Sequence, residues 1–213
     1  MNNKQGKLIV FEGINGCGKG TQFDLLHSYI RTSGKAVPIF TTGEPNIFDE
    51  NGQKAREMLK SDGDPYENAL DAVKYFAKNR NSHNNVFVPL LKKGVDVISD
   101  RYWHSNFAFQ HAQGISYNNI TNANEFSRVP DLTFIIDVPV DVAFERLHNR
   151  DGESRRKFDS SKDFLNNVRD NYLELNSILP QLIRDKSIVI INGNQSVEKV
   201  FEEIKNIYKL SSI

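Results

Sequence analysis

A glycine-rich stretch between an apolar run and a periodic segment most limits what this chain can fold into. Residues 11–22 read FEGINGCGKGTQ and continue the apolar run Leu8–Phe11. Gly13, Gly18 and Lys19 satisfy the pattern G-x-x-x-x-G-K. Glycines let backbone N–H groups approach an anion, and the helix that follows directs its N-terminal dipole to the same place. The pattern therefore predicts a strand, a phosphate-binding loop and a helix, in that order.

The predicted phosphate-binding residues are contiguous. Lysine adds a full positive charge that can reach the terminal phosphates of a nucleotide. The usual pattern has a Ser or Thr directly after the lysine as a Mg²⁺ ligand, whereas here the hydroxyl comes one residue later. We therefore expect Mg²⁺ to be held largely through water and substrate phosphates, with Thr21 as a candidate ligand. The full set is Gly13, Ile14, Asn15, Gly16, Cys17, Gly18, Lys19, Gly20 and Thr21.

Short runs rich in Val and Ile alternate with helical patterns along the chain. Such runs are typical of buried parallel strands, and the alternation predicts an α/β fold with a parallel sheet covered by helices on both faces. The predicted strands are Leu8–Phe11, Val37–Phe40, Val95–Ser99, Leu132–Val138 and Ile188–Ile191.

Local signals place the helix boundaries. Asp64, followed by Pro65 and Glu67, predicts a helix start. Pro89 is expected to break or kink that helix. The polar segment 118–124 is predicted to be a surface loop, and apolar residues from Val197 onward repeat at helical spacing in a last amphipathic helix.

Composition excludes several classes of protein. The 213 residues carry 27 Lys+Arg and 27 Asp+Glu, so no general nucleic-acid coat or membrane-surface protein is expected. One cysteine, Cys17, allows no intrachain disulfide. The first residues are polar, and no apolar run approaches membrane-spanning length. We predict a single cytoplasmic domain over residues 1–213, with no nucleic-acid or membrane partner.

A second motif ends the third predicted strand. Asp100 and Arg101 follow the run Val95–Ser99, and the carboxyl ends of parallel strands face the ligand crevice. A carboxylate there can orient Mg²⁺-bound waters, and a guanidinium can form paired hydrogen bonds with a phosphate. An exposed ion pair at a strand end is the alternative.

Five segments of the chain resemble the sequence motifs of one protein family. TTGEP is similar to a T-R-E-P turn, YFAKNRNSH to an F-A-x-x-R-x-x-H helix, and SDRYWHSNFAFQ to a D-R-Y-x-x-S-x-x-A-Y-Q segment. Residues 130–159 resemble a strand, helix and arginine-bearing lid, and NYLEL resembles the segment after it. In this order, from Lys7 to about Leu175, they resemble the thymidylate kinase family.

The resemblance implies an activity and an architecture. The activity is phosphorylation of thymidine 5′-monophosphate (dTMP) by ATP with Mg²⁺, a nucleoside monophosphate kinase reaction. The architecture is a five-stranded P-loop kinase sheet with a short lid at about residues 148–158. ATP and dTMP would be the small-molecule partners, and the protein would form a homodimer.

The resemblance also assigns acceptor-binding residues. Phe76 would stack on thymine and Arg80 would hydrogen-bond the base. Residues four apart share a helix face, which supports this pair independently. The alternative for Phe76 is an ordinary position in the hydrophobic core, and the alternative for Arg80 is a solvated helix face. Asn106 would contact the base edge, Phe109 the deoxyribose and Arg101 the acceptor phosphate. The full set is Glu44, Pro45, Phe76, Arg80, Arg101, Asn106 and Phe109.

Positive charge for phosphoryl transfer must come from outside the loop interior, because residues 14–17 contain no arginine. Arginines in the lid region can supply it, and Arg150 is a further candidate. For each of these arginines, the alternative is a solvated surface position without a ligand contact. The predicted catalytic residues are Lys19, Asp100, Arg101, Arg155 and Arg156, with Asp100 also contacting the metal through water.

Three positions depart from the family pattern. Asn15 stands where the family usually has an acidic residue, Gly43 where it has an arginine, and Phe109 where it has a tyrosine. Because the first two departures remove opposite charges, we expect them to compensate for each other.

Other functions remain open at this point. A deoxynucleoside kinase would need a carboxylate base, for which Glu12 is the nearby candidate. A kinase for another pyrimidine monophosphate would share the same motifs. A regulatory P-loop nucleotide-binding protein should carry N-K-x-D, and the closest string, at 59–62, lacks the Asn.

Overall fold

A computed structural model describes residues 5–33, 38–60, 64–151, 157–159 and 161–211. The strands are β1 (Leu8–Glu12), β2 (Ile39–Gly43), β3 (Asp96–Asp100), β4 (Leu132–Asp137) and β5 (Ile188–Asn192). Within the described residues these five form one parallel sheet in the order β2-β3-β1-β4-β5. The predicted fold class is therefore confirmed. Of the predicted second strand, Val37 lies outside the described residues.

Six of the seven helices in the described residues lie between successive strands, and the seventh follows β5. They are α1 (Lys19–Thr32), α2 (Glu50–Lys60), α3 (Ala69–Lys92), α4 (Tyr117–Ala123), α5 (Val140–Asp151), α6 (Lys162–Leu182) and α7 (Val197–Ser211). A π-helical turn, Asn106–Gln110, and a 3₁₀ turn, Lys157–Asp159, complete the regular structure in the described part of the chain. None of the described helices is long and apolar enough to cross a membrane.

The central strand explains why helices are needed on both sides of the sheet. Ile9 and Phe11 of β1 belong to a core cluster with Leu26 of α1, whereas Val10 belongs to a second cluster with Phe87 of α3. Successive side chains of a strand point to opposite faces, so each face of β1 requires its own apolar cover.

Two local predictions were wrong. Segment 118–124 is mostly helical rather than a loop, because Ser116 caps α4 by accepting the N–H of Asn119 at 3.3 Å and Ile120 is fully buried. Asp64 caps only a turn, accepting the N–H of Tyr66 at 2.9 Å. The helix itself starts later, at Ala69.

Pro89 does not end α3, which continues to Lys92. Pro89 and Asn85 both lie on the exposed face of the helix. Water can therefore bond to the carbonyl of Asn85 that proline leaves without a helical partner. Gly94, at φ 82°, then follows the end of the helix.

Burial of α6 against the sheet should make a large contribution to stability. Leu179 of α6 is fully buried, whereas Leu210 of α7 is 72% exposed. We expect Leu179→Ala to lower the free energy of unfolding by about 2–5 kcal/mol, because it leaves a cavity. Leu210→Ala, the matched control, should change it by less than about 0.5 kcal/mol. Denaturant unfolding of both variants measures this, and equal effects would contradict the packing of α6.

Candidate active site

The glycine-rich loop turns tightly between β1 and α1. Gly16 has φ 82° and Gly18 has φ 96°. A Cβ on Gly16 would lie 2.4 Å from the carbonyl oxygen of Ala143, so a side chain there would be strained and would displace α5. Among the described residues, no side chain caps α1 at Gly18. Its first N–H groups are therefore oriented to receive an anion.

Lys19, the first residue of α1, lines a cavity of about 380 Å³. Burial lowers the pKa of Lys19, and the charge of Arg101 lowers it further. Cys17, Asp100 and Glu12 act in the opposite direction. A phosphate bound in this cavity would relieve the repulsion between the two cations, so the pair forms an anion-binding centre.

Most of the predicted site residues line this same cavity. They come from the glycine-rich loop, the ends of β2 and β3, α3 and the π-helical turn, which are far apart in sequence. The predicted residues found there are Asn15, Gly16, Lys19, Gly20, Glu44, Pro45, Phe76, Arg80, Asp100, Arg101, Asn106 and Phe109.

The remaining loop residues lie elsewhere. Cys17, Gly18 and Thr21 line a second cavity of about 240 Å³, which Arg146 also borders. Gly13 and Ile14 line neither cavity, and Ile14 is buried in the core. The loop thus separates two cavities, and Lys19 faces the larger one.

Arg80 is buried rather than solvated. It is 1% exposed, and its Nε donates to Oε2 of Glu44 at 2.6 Å. Its Nη1 donates to Oδ1 of Asn106 at 2.8 Å and also to Asn124. These acceptors offset the cost of burying a guanidinium. With Phe76 four residues earlier on α3 and in the same cavity, Arg80 forms a rigid wall.

Asn106 is fixed by its neighbours. Its carbonyl accepts from Arg80, and its amide donates to Oε1 of Gln110 at 2.9 Å. Gln110 in turn donates to Gln113 at 3.0 Å. Gln110 was not predicted as a site residue, although Gln110 ends the SDRYWHSNFAFQ segment and lines the cavity.

A buried carboxylate organises the turn after β3. Glu12 is fully buried, and its Oε1 accepts the backbone N–H groups of Tyr102 at 2.8 Å and Ser105 at 3.2 Å. Its Oε2 accepts from the hydroxyls of Ser105 at 2.7 Å and Tyr172 at 2.9 Å. Burial raises the pKa of Tyr172 well above its ordinary value, with Glu12 adding to the effect. The phenol therefore stays neutral and donates.

Arg101 lies above this carboxylate in a strained conformation, with φ 71°. Its Nη1 donates to Tyr172 at 3.0 Å and to Ser105 at 3.1 Å, and it lies 3.7 Å from Oε2 of Glu12. Burial opposes the charge of Arg101, but Tyr172, Glu12 and Asp100 outweigh it and raise its pKa. Arg101 is thus a permanently charged group in a fixed position.

Asn15 joins Arg101 to the 3₁₀ turn. Its Oδ1 accepts from Nη2 of Arg101 at 2.7 Å, and its Nδ2 donates to Asp159 at 2.8 Å and 3.2 Å. Among the described residues, none of its side-chain hydrogen bonds reaches β2. Gly43 is paired with Asp100 in the sheet. The expected compensation between Asn15 and Gly43 stays a prediction, without a direct contact to support it.

Several cavity residues were not predicted. Arg56 of α2 is a further cation, and Leu59 and Phe158 add apolar surface. Arg150, a lid candidate, also lines the cavity. Arg155 and Arg156 lie outside the described residues, as do residues 152–156 of the predicted lid. Helix α2 carries none of the motifs identified in the sequence, so nothing in the sequence marked Arg56 as a cavity residue.

The site suits a magnesium ion that arrives with its nucleotide. Asp100 lines the cavity, and its buried Oδ1 has no hydrogen-bond partner among the described residues. Within the described residues, no group of three or more His, Cys, Asp or Glu side chains could hold a metal ion alone. One carboxylate with waters and substrate phosphates is the arrangement that Mg²⁺ adopts at such sites.

A phosphate-binding loop on a five-stranded parallel sheet, beside a cavity lined by cations, defines a P-loop kinase. Comparison with known proteins identifies its kind. A family profile described as thymidylate kinase matches residues 11–204. The chain is therefore a member of the thymidylate kinase family and a nucleoside monophosphate kinase.

Individual relatives agree along nearly the whole chain. A thymidylate kinase of Thermosipho africanus is 34% identical over 93% of this chain and 96% of its own. A probable thymidylate kinase of Pyrococcus abyssi is 36% identical over 96% of this chain and 97% of its own. The crystal structure of thymidylate kinase from Ehrlichia chaffeensis has a TM-score of 0.72 and 25% identity, covering 96% of this chain and 99% of that one.

Removing the Tyr172 hydroxyl should disturb Arg101 specifically. We expect Tyr172→Phe to cost about 1.5–3 kcal/mol of stability, because Glu12 loses a hydrogen bond, and to lower turnover because Arg101 loses a support. Tyr208→Phe is the matched control, since its hydroxyl donates to Asp96 at 3.4 Å, and it should lose stability but not turnover. Unfolding and phosphoryl-transfer assays measure both. Equal losses of turnover in the two variants would contradict a specific role for Tyr172.

Proposed function

We propose that the protein transfers the γ-phosphoryl group of ATP to thymidine 5′-monophosphate, forming the diphosphate. The observation that carries this proposal is the cavity itself. It is lined at once by Lys19 of the phosphate loop, by Arg101 and by the Phe76–Arg80 face of α3. Its volume of about 380 Å³ falls within the range of small-molecule sites.

The acceptor would bind with its base against α3. Phe76 provides an aromatic face and Arg80 a fixed hydrogen-bonding group, which together suit a single pyrimidine ring. Asn106 would approach the base edge, and Phe109 would occupy the space beside the sugar. Arg101 would bind the acceptor phosphate, with Arg56 as a second cation. Glu44 supports the base-binding wall through Arg80.

The donor would place its phosphates on the glycine-rich loop and its base in the second cavity. That cavity is bordered by Arg146, whose guanidinium donates to the carbonyl oxygens of Cys17 and Gly193, each at 3.3 Å. Gln22 also lines it, and the buried Oε1 of Gln22 has no hydrogen-bond partner among the described residues. This oxygen can accept a hydrogen bond from a donor base.

Transfer would then depend on alignment and on neutralising charge. Mg²⁺, when bound, would offset charge on the transferring group, with Asp100 orienting its waters and Thr21 as a further candidate contact. Lys19 would reach the terminal phosphates, and Arg155 or Arg156 of the proposed lid would add positive charge to the transition state.

The burial and the hydrogen bonds of Glu12 support a monophosphate acceptor over an unphosphorylated nucleoside. A phosphate oxygen is already anionic, whereas a sugar hydroxyl needs a base. Glu12 is fully buried and both of its oxygens accept hydrogen bonds. It therefore acts as an anchor for the Arg101 turn and is poorly placed to accept a proton from a hydroxyl.

The proposed function predicts a defined acceptor profile. With ATP and Mg²⁺, dTMP should be the best acceptor, and dUMP should be about 10–200-fold poorer in kcat/KM, because it lacks one methyl group. Thymidine should be inert, since it has no phosphate for Arg101. A coupled ADP-release assay with each acceptor measures this. Efficient phosphorylation of thymidine, or of AMP or dGMP, would refute the proposal.

Arg56 should contribute to binding the acceptor phosphate. We expect Arg56→Ala to lower kcat/KM for dTMP about 10–100-fold, chiefly through KM, because a charge-assisted hydrogen bond is worth about 1.5–3 kcal/mol. Lys54→Ala is the control, since Lys54 lies on the same helix but pairs with Glu50 at 2.6 Å. Steady-state kinetics of both variants test this. An unchanged KM for dTMP in Arg56→Ala would remove Arg56 from the site.

Two exposed aromatic side chains bear on how the protein assembles. Phe48 and Phe126 are 89% and 75% exposed, and both lie beside α3. Asn46 bonds to Asn79 of that helix, and Asn84 of the helix donates to the carbonyl of Phe126 at 3.4 Å. Such aromatic exposure supports a homodimer. A cytoplasmic location fits the absence of disulfide-forming cysteine pairs.

A further inference from the structure

The side chain of Asn15 uses both ends of its amide. Its oxygen accepts from Arg101 at 2.7 Å, and its nitrogen donates to both oxygens of Asp159 at 2.8 Å and 3.2 Å. A guanidinium can only donate and a carboxylate can only accept. The partners therefore determine the orientation of the amide, because the reversed amide would satisfy neither.

We propose that Asn15 is a positioning residue that links Arg101 to Asp159, and that Asp159 requires position 15 to be neutral. The linkage joins three separate segments: the glycine-rich loop, the turn after β3 and the 3₁₀ turn before α6. It rests on the proposed function only in assigning Arg101 to the acceptor phosphate. The contact between Asn15 and Asp159 stands without that assignment.

Charge explains why an amide is suited to this position. Arg101 is a cation that donates and Asp159 a carboxylate that accepts, so a neutral amide can bond to both without adding a charge between them. An aspartate at position 15 could still accept from Arg101. It would, however, place a second carboxylate about 3 Å from Asp159, where like charges repel. The acidic residue usual in the family is therefore unsuitable here for a local reason.

This pairing gives Asn15 a partner other than position 43, and the compensation expected between positions 15 and 43 stays a prediction. A Cβ on Gly43 would lie 3.2 Å from the carbonyl oxygen of Asp100 and 3.5 Å from its Cβ, within the sheet. The group to which the Asn15 amide donates is Asp159, which is 5% exposed. The structure thus pairs Asn15 with the segment that follows the proposed lid, and not with β2.

The link also bears on the reaction. Asn15 supports the Nη2 end of Arg101, while Tyr172 and Ser105 support its Nη1 end. Loss of the Asn15 contact would leave the guanidinium free to turn at one end. Binding of the acceptor phosphate should then weaken more than binding of ATP, which meets the backbone of the loop.

A double-mutant cycle tests the proposal. The proteins are the parent, Asn15→Asp, Asp159→Asn and the double variant that exchanges the two side chains. In the double variant, the carboxylate at position 15 accepts from Arg101 and from the amide at position 159, so both hydrogen bonds are restored with the same net charge. Asn206→Asp, on the exposed face of α7, controls for the added charge alone.

We expect Asn15→Asp to lower kcat/KM for dTMP about 10–100-fold, mainly through KM for dTMP, because repulsion from Asp159 would push the new carboxylate away from Arg101 and cost one hydrogen bond to a charged group. Asp159→Asn should lose less than about fivefold, because two amides can still pair. The double variant should return to within about threefold of the parent, and Asn206→Asp should match the parent. Non-additivity of this size would establish the coupling.

Two results would overturn the proposal: an Asn15→Asp enzyme as active as the parent, or a double variant no better than Asn15→Asp. Thermal midpoints of the same proteins measure the coupling without substrate. We expect Asn15→Asp to lower the midpoint by a few degrees and the double variant to restore it. If the parent failed to phosphorylate dTMP while this midpoint coupling persisted, the proposed function would fail and the Asn15–Asp159 pairing would stand.

Discussion

The carboxylate of Glu12 is the group on which the arrangement of the active site depends. It stands at the end of the central strand, where no water reaches it, and it accepts hydrogen bonds from two backbone N–H groups and two hydroxyls. A buried carboxyl group is tolerated only when its polar atoms have hydrogen-bond partners. The turn after β3 is therefore folded around it, and Arg101 takes its strained conformation as part of that turn.

Two arginines that line the cavity, Arg80 and Arg101, are held in place by the same means. Tyr172 of α6 contacts the guanidinium of Arg101, and Glu44 and Asn106 accept from Arg80. A binding group whose orientation is already fixed loses little freedom when the substrate arrives, which is the advantage of preorganisation in phosphoryl transfer. In the proposed function, Arg101 would bind the acceptor phosphate and Arg80 the base. The cost is a rigid network, in which a change at one member is transmitted to the others.

The sequence by itself predicted the five strands, the phosphate loop and most residues of the larger cavity. These are local signals: apolar runs, glycine spacing and residues at the carboxyl ends of strands. It failed where a residue's role depends on distant partners. The burial of Arg80, the helix at 117–123 and the presence of Arg56 in the cavity follow from packing between segments that no spacing rule connects.

The position of Asn15 shows this division most clearly. From the sequence alone it was a departure from a family pattern, and the nearest explanation was the other missing charge at Gly43. Only the tertiary structure brings Asp159, 144 residues further along the chain, to within 2.8 Å of its amide. Hydrogen bonds act over about 3 Å in space, whatever the separation along the chain. The sequence therefore identified the phosphate-binding loop, whereas the fold decided which charged groups surround it.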